Sequence, residues 1–73
     1  MVDTVRIEYM LLGLSGQVVQ DWTIVQGSIE NNSQVYVPRA LNVQRSQSQG
    51  HNTRAARVRV VSEQTNRIVD IIQ

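Results

Sequence analysis

The segment from Val5 to Leu12 alternates between two sets of side chains, and this pattern constrains the fold more than any other feature. One set is Val5, Ile7, Tyr9 and Leu11, and the other is Arg6, Glu8, Met10 and Leu12. A period of two is typical of a β-strand with one face directed into a core. Gly13-Leu14-Ser15-Gly16 then interrupts the pattern, and a run rich in β-branched residues follows from Val18 to Val25. The two segments therefore predict an antiparallel hairpin.

The second strand of this hairpin contains the only tryptophan. Val18, Trp22 and Ile24 share one predicted face, while Gln20 disturbs the alternation and indicates a bulge near its position. An indole buries a large apolar area, so we assign the face of Trp22 to the core, as we do that of Tyr9. Substitution of Trp22 is then expected to unfold the domain.

The central segment predicts a loop followed by a helix. Residues Gly27 to Ser33 have a loop composition, and Ser28 or Ser33 could cap the next element. Pro38 decides the predicted start of the helix, because its ring disrupts a helix interior but fits the first helical position. The predicted helix therefore runs from Pro38 to Gln49, with residues 35–37 extended before it. Its apolar face is narrow, with Ala40, Leu41 and Val43.

A second hairpin follows the helix. Ala56, Val58 and Val60 alternate with Arg57, Arg59 and Val61. A polar connection follows, in which Asn66 could adopt a positive φ, and Arg67 to Ile72 predicts a last strand. The predicted fold class is α+β, in the order ββαββ: a four-stranded antiparallel sheet of two hairpins with one helix packed on one face. We expect residues 1–73 to form a single small domain.

Composition argues against most catalytic and metal chemistry. The chain has no cysteine, and His51 is its only histidine, so a structural zinc site is not expected. The carboxylates are scattered, and His51 with the serines satisfies a hydrolytic triad only by number. Gly13-Leu14-Ser15-Gly16 has the spelling of a phosphate-clamping loop, but strands flank it, so a hairpin turn is favoured. We expect a non-enzymatic protein without cofactor or metal, although a small active site assembled at an oligomer axis stays an alternative.

Length and hydropathy predict a small protein without a membrane span. A chain of 73 residues has a thin core, since a domain near this size buries only about 60% of its unfolded surface. The longest apolar stretch, Met10 to Leu14, is far shorter than the roughly 20 residues that cross a bilayer. Residues 1–3 lack the basic region of a secretion signal. A cytoplasmic location without membrane binding is the expectation.

The basic residues are all arginines, seven in number, and they supply the candidate site. Arg54, Arg57 and Arg59 lie close together, and guanidinium groups suit planar, bidentate recognition of carboxylates and phosphates. Together with Arg6 they form the candidate partner-binding or anion-binding set. The alternative is structural, because Arg57 or Arg59 could pair across the sheet with Glu8 or Asp70.

Three hypotheses for function remain. The uncovered sheet face would carry Met10, Leu12, Val19, Val25 and Val61, which favours a homodimer or a higher homo-oligomer. The first hypothesis is a protein-interaction domain that binds an acidic partner surface through its arginines, encoded for instance by an accessory gene of a virus or mobile element. The second is nucleic-acid binding by the same arginines, against which the net charge of +1 and the inward aromatic residues count. The third is a structural subunit of a larger assembly.

Overall fold

The computed structural model describes residues 3–47 and 53–72, with the side chains of residues 53–55 excluded. Its elements are β1 (Thr4–Gly13), β2 (Val18–Glu30), α1 (Ser33–Gln47), β3 (Thr53–Ser62) and β4 (Ile68–Ile72). The four strands form one sheet in the order β2-β1-β3-β4, and every neighbouring pair is antiparallel. The predicted ββαββ fold is confirmed. No helix within the described residues is long and apolar enough to cross a membrane.

The β1–β2 hairpin closes at the predicted glycine turn. Gly16 has a φ of 88°, which a glycine adopts without steric cost, and the Gly13 amide donates to the Gln17 carbonyl at 2.7 Å. The register between the strands shifts at four places, so the 13 residues of β2 pair with the 10 of β1. Two of the shifts lie on either side of the Leu11–Gln20 pair. The irregularity predicted near Gln20 is thus confirmed.

The predicted loop from Gly27 to Ser33 was too long: β2 continues to Glu30 and α1 begins at Ser33, so only residues 31 and 32 connect them. Ile29 pairs with Val5 and is only 2% exposed, so the strand carries a core residue beyond the glycine. Gly27 and Ser28 lie where the register shifts, and Ser28 has a positive φ of 56°. A bulge therefore accommodates turn-forming residues inside a strand, which composition alone does not reveal.

The helix begins five residues before its predicted start. Its first residue is Ser33, and Pro38 lies inside it. Asn32 caps it: the Asn32 side-chain oxygen accepts from the Gln34 amide at 3.0 Å, and its carbonyl accepts from the Tyr36 amide at 3.0 Å. The predicted extended segment at 35–37 is helical because Tyr36 is buried there, at 6% exposure. The predicted end at residues 48–49 lies outside the described residues.

One face of the sheet packs against α1, and this contact forms the core. The buried cluster combines strand and helix residues: Val5, Ile7, Ile29, Tyr36, Ala40, Val58 and Val60. Tyr9 and Val43 pack against it from the sheet and the helix. Burial of this kind contributes about 1.5–3 kcal/mol for each large apolar side chain, enough to offset the loss of the helical hydrogen bond at Pro38. The opposite face of the sheet, here called the open face, has no helix of the described residues on it.

The β3–β4 connection follows the prediction. Asn66 has a φ of 59°, a left-handed conformation that asparagine tolerates, and the Ser62 amide donates to the Arg67 carbonyl at 2.9 Å. β4 then begins at Ile68. This turn brings β4 beside the second half of β3, from Val58 to Val61.

Candidate binding site on the open sheet face

Strand register places the arginines of β1 and β3 on the open face. Glu8 pairs directly with Arg59, and Met10 pairs with Arg57. Residues directly opposite each other in an antiparallel pair project to the same side of the sheet. Arg57 and Arg59 flank the buried Val58 along β3, so their side chains project to the side opposite the core. The predicted sharing of one side by Arg57 and Arg59 is confirmed.

Glu8 holds two of these arginines. The Arg6 Nε donates to Glu8 Oε2 at 2.6 Å, and the Arg59 Nε donates to Glu8 Oε1 at 2.7 Å. Arg59 Nη2 lies 2.6 Å from the same Oε1, and Arg6 Nη1 donates to Asn66 Oδ1 at 3.0 Å. The structural alternative is therefore confirmed for Arg59, which pairs across the sheet with Glu8. The same carboxylate also forms an ion pair with Arg6.

Burial and charge act in opposite directions on Glu8, which is only 4% exposed. Burial by itself raises the pKa of this carboxyl, but the hydrogen bonds and charges of Arg6 and Arg59 outweigh it and hold the pKa below its ordinary value of 4.5. Glu8 is thus ionised at neutral pH. The cluster of Arg6, Glu8 and Arg59 carries a formal charge of +1.

Trp22 lies on the open face, which corrects its predicted place in the core. The Arg59 guanidinium carbon is 4.1 Å from the centroid of the Trp22 ring, within the range of a cation–π contact. Val18 and Ile24, which share the predicted side of Trp22 on β2, are 54% and 60% exposed. Ile24 pairs with Glu8, and this register decides which side of β2 meets the core. Tyr9, in contrast, packs against the core as predicted.

A groove of about 150 Å³ runs beside the stacked pair. Trp22, Arg57, Arg59, Ile68 and Ile71 line it. Arg57 is exposed and forms no ion pair with any residue that the structure describes. Ile68 and Ile71 are 52% and 59% exposed. The groove therefore combines the guanidinium of Arg57, which has no ion pair among the described residues, with the apolar side chains of Ile68 and Ile71.

Arg54 and Asp70 are the other residues that the sequence brought into the candidate site. The backbone of Arg54 lies within β3, and its side chain, like His51, lies outside the described part of the chain. Asp70 is not a partner of Arg57 or Arg59. It faces α1, where the Tyr36 hydroxyl donates to its Oδ2 at 3.3 Å. Burial, followed by the charge of Asp70 and this hydrogen bond, raises the pKa of Tyr36 above its ordinary value of 10.0.

Sequence reasoning missed Trp22, Ile68 and Ile71 as members of the site. Strict alternation would place Ile68 and Ile71 on opposite sides of β4. The register shifts within this strand, however, because Asp70 pairs with Val60 whereas Ile68 pairs with Val61. The extra residue, Val69, brings Ile68 and Ile71 to the same side. The sequence holds no turn residue that would reveal this bulge.

The groove residues offer two kinds of contact. A guanidinium can donate two parallel hydrogen bonds to a carboxylate, while the isoleucines and the indole can bury apolar groups next to it. Among residues 3–47 and 53–72, no three side chains of the metal-binding types come together. Comparison with family models, curated proteins and solved structures finds no match for this chain.

Proposed function

We propose that the chain is a small non-enzymatic protein-interaction domain, which binds an acidic and partly apolar segment of a partner protein in the open-face groove. The observation that supports this most strongly is Arg57, an exposed arginine without an ion-pair partner among the described residues, which lines the groove together with Trp22 and Ile71. Arginine and tryptophan beside apolar residues are typical of the positions that dominate protein interfaces.

Charge favours an acidic partner over a second copy of the chain. The four residues Arg6, Glu8, Arg57 and Arg59 of the open face together carry a formal surplus of two positive charges. Two such faces in contact would bring like charges together and leave them partly desolvated, which is unfavourable. The homo-oligomer expected from the sequence would therefore use another surface of the domain.

Nucleic acid is the second candidate, because Trp22 lies beside the arginines instead of in the core. Single-stranded nucleic acids stack on such aromatic rings and bind cations along their backbone. Two features count against this function: Arg59 already covers the ring at 4.1 Å, and the Glu8 carboxylate would repel a phosphate. With two surplus charges, the logarithm of affinity would fall with that of salt at a slope of only about 1.4 on a single strand.

The experiment is the selection of a random peptide library against the immobilised domain, followed by affinity measurements on the enriched peptides. Arg57→Ser removes the proposed anchor, and Arg45→Ser, in the last turn of α1, is the matched control that removes the same charge from another element. We expect peptides with a carboxylate beside large apolar residues. Loss of one charge-assisted hydrogen-bonded pair should weaken them about tenfold or more in R57S, with R45S unchanged.

Two results would overturn the proposal. One is a library that yields no peptide, or peptides that bind R57S as tightly as the natural chain. The other is a single-stranded oligonucleotide that binds more tightly than any peptide at physiological salt, with a salt slope well above 1.4. The second result would favour nucleic-acid binding.

A further inference from the structure

β4 forms one outer edge of the sheet and borders the groove. In the part of the chain that the structure describes, its only strand partner is β3. Ile68, Val69 and Ile71 are 52%, 40% and 59% exposed. The outer edge of a strand presents backbone N–H and C=O groups that can pair with another extended segment.

The two edges of the sheet differ in how well they could accept a strand. β2 pairs with β1 through four register shifts, and such bulges twist an edge away from a regular partner. β4 has one shift and consists of four branched apolar residues around Asp70, whose side chain faces α1. It contains neither lysine nor proline. Its length of five residues suits one short added segment better than extended aggregation.

The groove continues to this edge. Arg59 pairs with Ile71, so an open-face row runs from β3 to β4 and would extend onto a strand added beyond β4. Such a strand would lie about 4.8 Å from β4 and about 10 Å from β3. The side chain of Arg57 on β3 and an acidic side chain of the added strand both project from the open face. Together, in extended conformations, they span the distance between β3 and the added strand.

We propose that the acidic partner segment binds in extended conformation as a fifth strand on the edge of β4. Its apolar side chain packs against Ile68 and Ile71, and its carboxylate pairs with Arg57. This inference rests on the proposed function, which names the same groove. A second copy paired through β4 would bring Asp70 to this edge, but its oxygens already accept from the Tyr36 hydroxyl and the Ile71 amide. A partner carboxylate is therefore the better complement to Arg57.

The test is an N-methyl scan of the most enriched library peptide, with binding to the natural chain measured for each single backbone methylation. In a strand that pairs along one edge, alternate amides donate to the neighbouring strand and the others do not. We expect affinity to fall about fivefold to tenfold at every second position and to change little between them. Hydrogen exchange of the β4 amides that point outward should slow when the natural, unmethylated peptide is added.

The possible failures are distinguishable. If R57S weakens binding but methylation has no alternating effect, the groove binds peptides without strand pairing, and this inference is overturned while the proposed function stands. If R57S and the natural chain bind alike, the proposed function itself fails. If sedimentation shows a dimer whose outward β4 amides are protected before peptide is added, β4 pairs with a second copy and the inference is also overturned.

Discussion

Replacement of Glu8 by glutamine should destabilise the domain, because this buried carboxylate is shared by two arginines. Glu8 is 4% exposed and accepts hydrogen bonds from Arg6 and Arg59 at 2.6 and 2.7 Å. Glutamine has nearly the same shape but no charge, and it would turn an amide group toward one of the two guanidinium groups. Two arginines would then lack their carboxylate partner.

The magnitude follows from the exposure of the three side chains. A hydrogen bond to a charged group contributes about 1.5–3 kcal/mol, and two such interactions are lost or weakened. The arginine side chains are 20% and 25% exposed, so water would partly replace the carboxylate. A net loss of about 2–3 kcal/mol follows when that solvation is discounted. For a domain of this size the melting temperature should fall by about 10–20 °C.

The pH dependence provides a second readout with a defined sign. The pKa of Glu8 is held below its ordinary value of 4.5, so the folded state favours the ionised form. This contribution is fully present above pH 4.5 and is lost as the pH falls through the lower pKa of the folded state. The stability difference between the natural chain and E8Q should therefore be constant near neutral pH and shrink below 4.5.

Urea unfolding followed by circular dichroism measures these free energies. Glu30→Gln is the matched control, because Glu30 lies exposed at the end of β2 and its stability change should stay within about 0.5 kcal/mol. A difference below about 0.5 kcal/mol for E8Q would refute the reasoning, since two arginines would then gain nothing measurable from the shared carboxylate. So would a difference that does not change between pH 7 and pH 3.

Three further predictions address the helix, the indole and the buried tyrosine. Trp22→Ala should leave a folded domain that is about 1–2 kcal/mol less stable in urea, from the lost stacking on Arg59 and partial burial, whereas a fully buried tryptophan would cost about 3–5 kcal/mol. Pro38→Ala should stabilise the domain by about 1–3 kcal/mol in thermal unfolding, because alanine restores a helical amide donor. Asp70→Asn should lower the pKa of Tyr36 toward 10.0 in a spectrophotometric titration, and the decline in stability as the pH rises past 10.0 should become less steep.

Each of these predictions has a contrary outcome. A W22A chain without cooperative unfolding would mean that the indole supports the core after all. Unchanged stability of P38A would indicate that the helix does not take up the restored hydrogen bond. A Tyr36 titration that is the same in D70N would show that burial alone raises its pKa.

The fold was predictable where the determining signal is local. The alternation from Val5 to Leu12 and the glycine turn after it indicate a hairpin, because a period of two and a positive φ depend on neighbouring residues only. The start of the helix was not predictable in this way. The local rule for Pro38 favoured a start at that residue, but burial of Tyr36 against the sheet outweighs the local cost of a proline inside the helix.

The candidate site was only partly predictable, because it depends on faces and register. The sequence grouped Val18, Trp22 and Ile24 correctly on one side of a strand, yet both sides of β2 carry apolar residues, so nothing local indicated which side meets α1. Bulges decide which side each residue takes. One lies at Ser28 in β2, and another lies in β4, where Val69 brings Ile68 and Ile71 to the same side. Each extra residue reverses the alternation that follows it.

The sequence by itself determined the kinds of element, their order and the concentration of positive charge in arginines, since these follow from periodicity and composition. Only the tertiary structure decided that Glu8 forms ion pairs with Arg6 and Arg59 and that Trp22 stacks on Arg59. It also decided that Arg57 remains without an ion pair among the described residues. The physical reason is that the Glu8–Arg59 ion pair forms between residues far apart in the chain, which meet only across the sheet. Its partners are selected by strand register, which the packing of α1 and the bulges set together.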